Sequence, residues 1–457
     1  MLKVNKDQIV DVNNQPVMLR GVCLGGWLNM ENFITGYPGN ESAFRKEVGR
    51  VLGPDLAKVF FKKFLDYFIT ESDIRFLSEL GVNAVRLSFN YHHFEDDNYP
   101  LKFFESGFYY LDRALNWCKQ YGIYVILDLH SAPGWQNPDW HCDNPSGCTL
   151  LWGQKPYQDR VVALWQFIAR RYKDEAQIAG YDLLNEPVVD DIEVLNGFYQ
   201  RLILAIREID QEHIIFVEGN WYSSRFAGLD AFNDPNVAFS SHHYINPAVV
   251  TSAYLKDIPP EEYEYSVLEK AYDEKNAFIR EQQKPCWVGE FGLVFEGNEF
   301  DDIRLKIAAG QFEIMNKRRD HWTLWTYKDI GCMGSVYLDE DSLWMKKTAA
   351  GRALKRDITA DTWPVDRDRT NGAIDKLREL IRSVPAFARY DDDRVSWQLN
   401  RAVRGTLLSG LVLPVFAEQF KGLDEDGIDQ LMKSFLFENC IQRKAYIDLL
   451  KEYLKNA

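Results

Sequence analysis

The sequence has little that would tie it to a membrane, a polyanion or an oxidising compartment. Its longest apolar run near the C-terminus, residues 407–417, is too short to span a bilayer and contains Pro414. The N-terminal stretch MLKVNKDQIVDV lacks an apolar segment of signal-peptide length, which gives the expectation of a cytoplasmic protein. Positive charge is short as well. The formal balance of −15 disfavours nucleic acid and anionic membrane surfaces as partners and suits a neutral substrate. Cysteines number seven, an odd count without regular spacing, so reduced thiols are expected rather than a disulfide framework. Cys142 and Cys148 are the closest pair and could bridge within one loop, but a zinc site there would lack two more ligands at metal spacing. Internal repeats, Pro-rich or Gly/Ser-rich linkers and low-complexity tracts are all missing.

What the chain does have is length, aromatic residues and a regular alternation. With 457 residues it can form one large domain with additions, or two or three ordinary ones. Thirteen Trp and twenty-three Tyr are a rich supply, for which core packing is the commoner fate and stacking on sugar rings the functional one. The segment QIVDVNNQPVML, residues 8–19, sets an Asn-Asn turn between two β-prone runs and predicts a hairpin that plugs one end of the domain. Residues 43–81 read as helical. Short apolar runs at 19–24, 84–89, 124–130, 178–187, 214–220, 237–244, 286–292 and 322–328 are separated by helical patterns such as FYYLDRALNWCKQYG and VVALWQFIARRYKD. Near-continuous apolar strands joined by helices imply parallel pairing buried on both faces. Eight such units predict an α/β protein with a (β/α)8 TIM barrel over residues 1–360. Beyond about Asp361 the pattern turns to helical spacing, which predicts an all-helical extension over 361–457 that packs on the barrel, dimerises or forms a lid.

In such a barrel, functional residues sit at the C-terminal ends of the strands. Arg86, His130, Asn185, Glu186, His242, Tyr244, Glu290 and Trp325 all fall late in a predicted strand or just beyond it. Glu186 in YDLLNEP and Glu290 in CWVGEFG each end an apolar run, and two strand-end glutamates suggest glycoside hydrolysis. Taken singly, a glutamate more often caps a helix or pairs with a basic neighbour. His243 should point away from His242 and Tyr244 and is left out.

At these motifs the chain resembles glycoside hydrolase family 5, a family of retaining, cellulase-like TIM barrels. LLNEP, HHY, VGEFG and LWTYKD occur in the required order, and LRGVCLGGWLNMENFITG and DLHSAPGWQN are similar to segments of the exo-β-1,3-glucanase branch. The resemblance implies that Glu186 is the general acid/base and Glu290 the nucleophile. It implies that Asn185 binds the sugar 2-hydroxyl, that Arg86 lies beside the nucleophile, and that His130 closes the third strand. His242 and Tyr244 match the H-x-Y pair, Trp325 the aromatic floor, and Glu31 an acidic residue that holds the terminal sugar. A negative Glu290 is expected to raise the pKa of Glu186 and so supply an acid at neutral pH.

Segment 132–152 departs from the short loop of the family and carries Trp135, Trp140, His141 and Trp152. These rings could stack on sugars, wall off a pocket or pack against the C-terminal helices. The expected activity is a retaining, exo-acting β-glycosidase on β-glucosides or short β-gluco-oligosaccharides. An endo-acting β-glucanase or β-mannanase, a transglycosylase and a non-hydrolytic carbohydrate-binding protein are the alternatives. No metal or organic cofactor is implied. The expected partner is a carbohydrate, with no nucleic acid or membrane, and the C-terminal helices leave a homo-oligomer open.

Overall fold

The computed structural model of the protein describes residues 1–361, 363 and 368–455. The chain opens with an antiparallel hairpin of β1 (Lys3–Asn5) and β2 (Gln8–Val10), which turns at Lys6 with φ 56°. This is earlier than the hairpin expected over 8–19. The Asn-Asn turn does form, with Asp11 Oδ1 accepting from the N–H groups of Asn13 and Gln15, both at 2.8 Å. Beyond it only one bridge, Val10 to Pro16, joins the arms. Asp11 N–H donates to the Gln15 carbonyl and Val17 N–H to the Ile9 carbonyl, both at 2.9 Å, so Pro16 sits at the non-hydrogen-bonded position between them. Leu2 and Ile9 pack with Leu19, Ala84, Ile126, Ile214 and Trp287, so the hairpin does close the end of the barrel where the strands begin.

Eight parallel strands close into the predicted barrel. They are β3 (Arg20–Cys23), β4 (Ala84–Asn90), β5 (Tyr124–Ser131), β6 (Ile178–Asp182), β7 (Ile214–Glu218), β8 (Val237–His242), β9 (Cys286–Glu290) and β10 (His321–Leu324), with β10 paired to β3. Nearly every strand residue is buried, as expected of strands covered by helices outside and side-chain layers inside. The helical stretch before β4 divides into Glu41–Leu52, Pro54–Phe68 and Glu71–Leu80. The last begins with a reciprocal cap between Thr70 and Asp73 and ends on Gly81 at φ 95°, a left-handed turn that delivers the chain into β4.

The C-terminal region is mainly helical, with helices at Asp368–Arg382, Asp392–Asn400, Ser409–Glu418, Glu425–Met432 and Lys444–Lys455. Arg401–Leu408 is wound as a π-helix between two of them. Two strands beyond the barrel, β11 (Lys328–Asp329) and β12 (Val336–Leu338), pair in parallel. A third, β13 (Cys440–Gln442), interrupts the expected run of helices and pairs antiparallel with β12. Three residues are too few to show a period of two in sequence. The extension is stapled to the barrel's helices by aromatic edges: Phe420 meets Phe60 at 4.9 Å and Phe435 meets Phe64 at 5.3 Å. Among the described residues no helix is long and apolar enough to cross a membrane.

Candidate active site

The site is built on one buried cation. Arg86 comes off β4 into the barrel, has no exposed surface, and meets carboxylates from four other strands. Its Nε and Nη2 donate to Asp182 Oδ2 at 3.0 and 2.9 Å, and Nη2 also reaches Glu218 Oε1 at 3.0 Å and Asp128 Oδ1 at 3.2 Å. Nη1 donates to Glu290 Oε1, and Nη2 to Asn185 Oδ1 at 2.8 Å. One guanidinium cannot neutralise this many buried acids. Burial, with Glu218 beside it, pushes the Asp182 carboxyl well above its ordinary range.

Two imidazoles on the barrel strands supply further positive charge. His130 donates from one nitrogen toward Asp128 Oδ2 at 2.7 Å and from the other toward Glu31 Oε1 at 3.0 Å. Burial opposes its charge, but Asp128 and Glu31 together outweigh burial and the pKa rises to about 10. His242 lies between three acids. Its Nδ1 is 2.7 Å from Glu186 Oε1 and 3.6 Å from Glu290 Oε2, and its Nε2 is 3.2 Å from Glu218 Oε1. Burial again opposes, and Glu218 and Glu290 raise it well above the usual imidazole range.

Glu290 is the last residue of β9, and its second oxygen accepts from the Tyr244 hydroxyl at 2.8 Å. Glu186 lies four residues past β6 in the left-handed region, φ 51°, where its N–H donates to Glu218 Oε2 at 2.6 Å. A non-glycine residue held there is costly, and such positions cluster at functional sites. One oxygen of Glu186, one of Glu290 and a ring nitrogen of His242 all lie within 4.8 Å of one another. Among the described residues, these are also the groups spaced to hold a metal ion.

The proton balance at Glu186 differs from the expectation. Burial does favour the neutral acid, but hydrogen bonds from His141 Nε2, 3.1 Å from Oε2, and from His242 outweigh it and hold the carboxyl well below its ordinary range. His141 is raised in turn; burial opposes, and Glu186 prevails. The effect of Glu290 alone was expected to decide the matter, whereas two adjacent imidazoles do. A proton at Glu186 is therefore shared within a cluster of three groups.

A cavity of about 340 Å³ opens onto the two glutamates. Glu31, His130, Trp140, Tyr244 and Trp325 from the sequence-derived set line it, and Arg86, Asn185 and His242 lie buried behind that lining. Trp325 runs parallel to the His130 ring, 5.2 Å away and tilted by 3°, and its peptide to Thr326 is cis. Trp135 is not part of the lining. It turns at φ 60° on the same loop, whose local turns rather than any period decide which ring faces the cavity. Trp152 ties its Nε1 to the Gln136 carbonyl at 2.9 Å and packs against Phe198. His243 is turned away, edge-on to Tyr272. Cys142 is buried and Cys148 exposed, both as free thiols.

Other groups here were not picked out from the sequence. Asp128, Asp182 and Glu218 complete the cluster around Arg86, and Phe33, Asp139, Tyr222, Trp363, Trp397 and Arg401 complete the cavity wall. Asp128 stands two residues before His130 on one strand and so shares its face, a signal that could have found it. Trp397 and Arg401 come from the C-terminal region, and no local pattern announces them.

Residues 51–331 match the family model for cellulase (glycosyl hydrolase family 5). The chain is 38% identical over 469 aligned residues to a beta-xylosidase of Phanerodontia chrysosporium, covering 97% of this chain and 96% of that one. It is 29% identical over 244 residues to a probable glucan 1,3-beta-glucosidase A of Aspergillus clavatus, covering 51% of this chain and 57% of the relative. The endoglucanase Cel5A of Thermotoga maritima superposes with a TM-score of 0.50 over 67% of this chain and 89% of its own, at 20% identity, a likeness of fold.

Proposed function

Because the chain belongs to glycoside hydrolase family 5, we propose that it is a retaining, exo-acting β-glycosidase that removes a terminal sugar from β-glucosides or short β-linked oligosaccharides. The observation that carries this is the approach of Glu186 and Glu290, with carboxylate oxygens within 4.8 Å across the cavity. Retaining enzymes hold their carboxyl groups about 5–5.5 Å apart, and inverting enzymes hold theirs about 6.5–9.5 Å apart to admit a water. The similarity to a beta-xylosidase over nearly the whole chain supports an exo action and extends the candidate glycones to β-xylosides.

In the first step Glu290 attacks the anomeric carbon while the bond to the leaving oxygen breaks and Glu186 hands that oxygen a proton. Arg86 and Tyr244 each hold one Glu290 oxygen, which orients the attack and compensates the ground-state charge. The proton is drawn from the set shared by Glu186, His141 and His242. Once the glycosyl-enzyme ester forms, Glu290 has lost its charge, and Glu186 takes a proton from the water that cleaves the ester. Trp325 offers an aromatic floor and Glu31 a hydrogen-bonding carboxylate for the terminal sugar.

Proton NMR of the first product formed from an aryl β-glucoside or β-xyloside tests the stereochemistry. The β-anomer should appear first and then mutarotate; early α-anomer would overturn the retaining assignment. Release of single sugars from an oligosaccharide is the exo outcome, and rapid viscosity loss of a soluble β-glucan the endo one.

A further inference from the structure

The C-terminal region does more than pack on the barrel. Trp397, on the helix Asp392–Asn400, and Arg401, which opens the π-helical turn after it, both line the cavity that holds Glu186 and Glu290. π-Helical turns recur at functional sites. The Arg401 guanidinium is fixed on three sides. Nε and Nη2 donate to Asp139, Nη2 also donates to the Tyr222 hydroxyl at 2.6 Å, and the group lies 3.3 Å from the centre of the Trp397 ring. Its Nη1 is buried and meets no hydrogen-bond partner among the described residues. Leaving a buried donor unpaired is costly.

The facing wall is strained. Trp221, Tyr222 and Ser223 have φ of 52°, 59° and 53°, a run of left-handed residues without glycine. Each such residue is held at a cost, and backbone held this way is often found at ligand sites. The run presents Tyr222 to Arg401 and Trp221 to Trp397, whose rings are 5.7 Å apart. Trp397 also lines a second cavity of about 410 Å³, together with Trp152, Trp221 and Arg394. Position follows from the chemistry proposed above: the general acid stands beside the leaving oxygen, and from Glu186 the wall continues through His141 and Tyr222, ring centres 6.3 Å apart, to Arg401.

We propose that Arg401 and Trp397, with Tyr222 and Trp221, form the leaving-group subsite, and that its ligand is a second, uncharged pyranose ring with a hydroxyl accepting from Arg401 Nη1. Asp139 already neutralises the guanidinium, so an anionic group is not called for, and an apolar aglycone would leave Nη1 unpaired. The inference rests on the glycosidase reading in placing the leaving group beside Glu186.

The test compares Arg401→Gln and Trp397→Phe with the parent protein on cellobiose, laminaribiose and xylobiose, and on 2,4-dinitrophenyl glycosides of the same glycones. On the best disaccharide, kcat/KM should fall at least about tenfold further than on the matching aryl glycoside, tenfold being about 1.4 kcal/mol. Equal losses on both substrates would reduce these residues to supports and overturn the proposal. Calorimetric binding to a Glu290→Gln protein separates the two readings. There, disaccharide should bind more tightly than monosaccharide, and Arg401→Gln should abolish the difference, whether or not the parent turns over. No difference between disaccharide and monosaccharide before that substitution would overturn the subsite. Binding of disaccharide without hydrolysis of any aryl glycoside would overturn the glycosidase reading and leave the subsite standing.

Discussion

His141 Nε2 lies 3.1 Å from Glu186 Oε2, which makes a residue of the long loop after β5 a direct partner of the proposed acid. The pair is buried, and its partners shift in opposite directions: Glu186 is held below the ordinary carboxylate range and His141 above the imidazole range, in each case against burial. A loop residue thereby helps to set where the Glu186 proton rests.

With its ionised partner present, His141 keeps its proton above the usual imidazole pKa; without that charge, burial is the main influence left and acts in the opposite direction. In Glu186→Gln, therefore, the His141 ring should titrate at lower pH than in the parent protein. His242 should move less, because Glu218 and Glu290 still face it. NMR titration of 13C-labelled histidine rings checks this. An unmoved His141 would mean that its proton does not depend on Glu186.

Glu290→Ala should lower turnover by several orders of magnitude, and azide or formate should restore part of it by occupying the vacated space, with an inverted glycosyl product. Glu186→Ala should be selective. General acid catalysis is worth about 10²–10⁴-fold, so glycosides with poor leaving groups should lose that much in the first step and dinitrophenyl glycosides far less. A variant equally impaired on both would remove the acid role from Glu186.

The barrel was legible because its strands are buried on both faces and stand out as apolar runs between helical periods, and placement at or just past strand ends then marked Glu186 and Glu290, whereas Arg86 sits third of seven residues in β4 rather than late in it. What lies around them was legible only in part. Asp182 and Glu218 end strands as clearly as Glu290 does, yet an acid at a strand end carries no sign of its partner until Arg86 is placed among them. The contribution of the C-terminal region was hidden for a different reason. Arg401 is 262 residues from Asp139 and 179 from Tyr222 in sequence, so no local spacing can relate them. Trp135 and Trp140 show the limit within one loop, where turn geometry alone sends the second to the cavity and not the first.

Arg86→Met should destabilise the fold strongly, because several acids would remain buried without their cation. Removing one partner of a buried ion pair costs about 3–5 kcal/mol. The deficit should depend on pH. Buried acids without a counter-charge have folded pKa values above their unfolded ones, so the penalty is present at neutral pH and fades as the solution is acidified and they take up protons. Denaturant unfolding of parent and variant at pH 7 and pH 5 should show a smaller difference at pH 5. A difference unchanged between the two pH values would mean that losing Arg86 does not alter how many protons these acids hold over that range.

Gly25 is the residue on which the aromatic floor rests. A Cβ built there would stand 2.6 Å from Cη2 and 2.8 Å from Cζ2 of Trp325, closer than such atoms approach, and the indole is a rigid ring rather than a flexible tip. Gly25→Ala must therefore push Trp325 off its place parallel to His130, at the cost of about 1–3 kcal/mol usual for overpacking. If the floor positions the sugar, part of that cost falls on the transition state, and kcat/KM should drop roughly tenfold per 1.4 kcal/mol. A general loss of folding would give the same drop, so the discriminating measurement is a double-mutant cycle. In a Trp325→Ala background there is no ring to displace, and Gly25→Ala should then cost little further activity. Additive losses in the two variants would show that Gly25 acts elsewhere than through the indole.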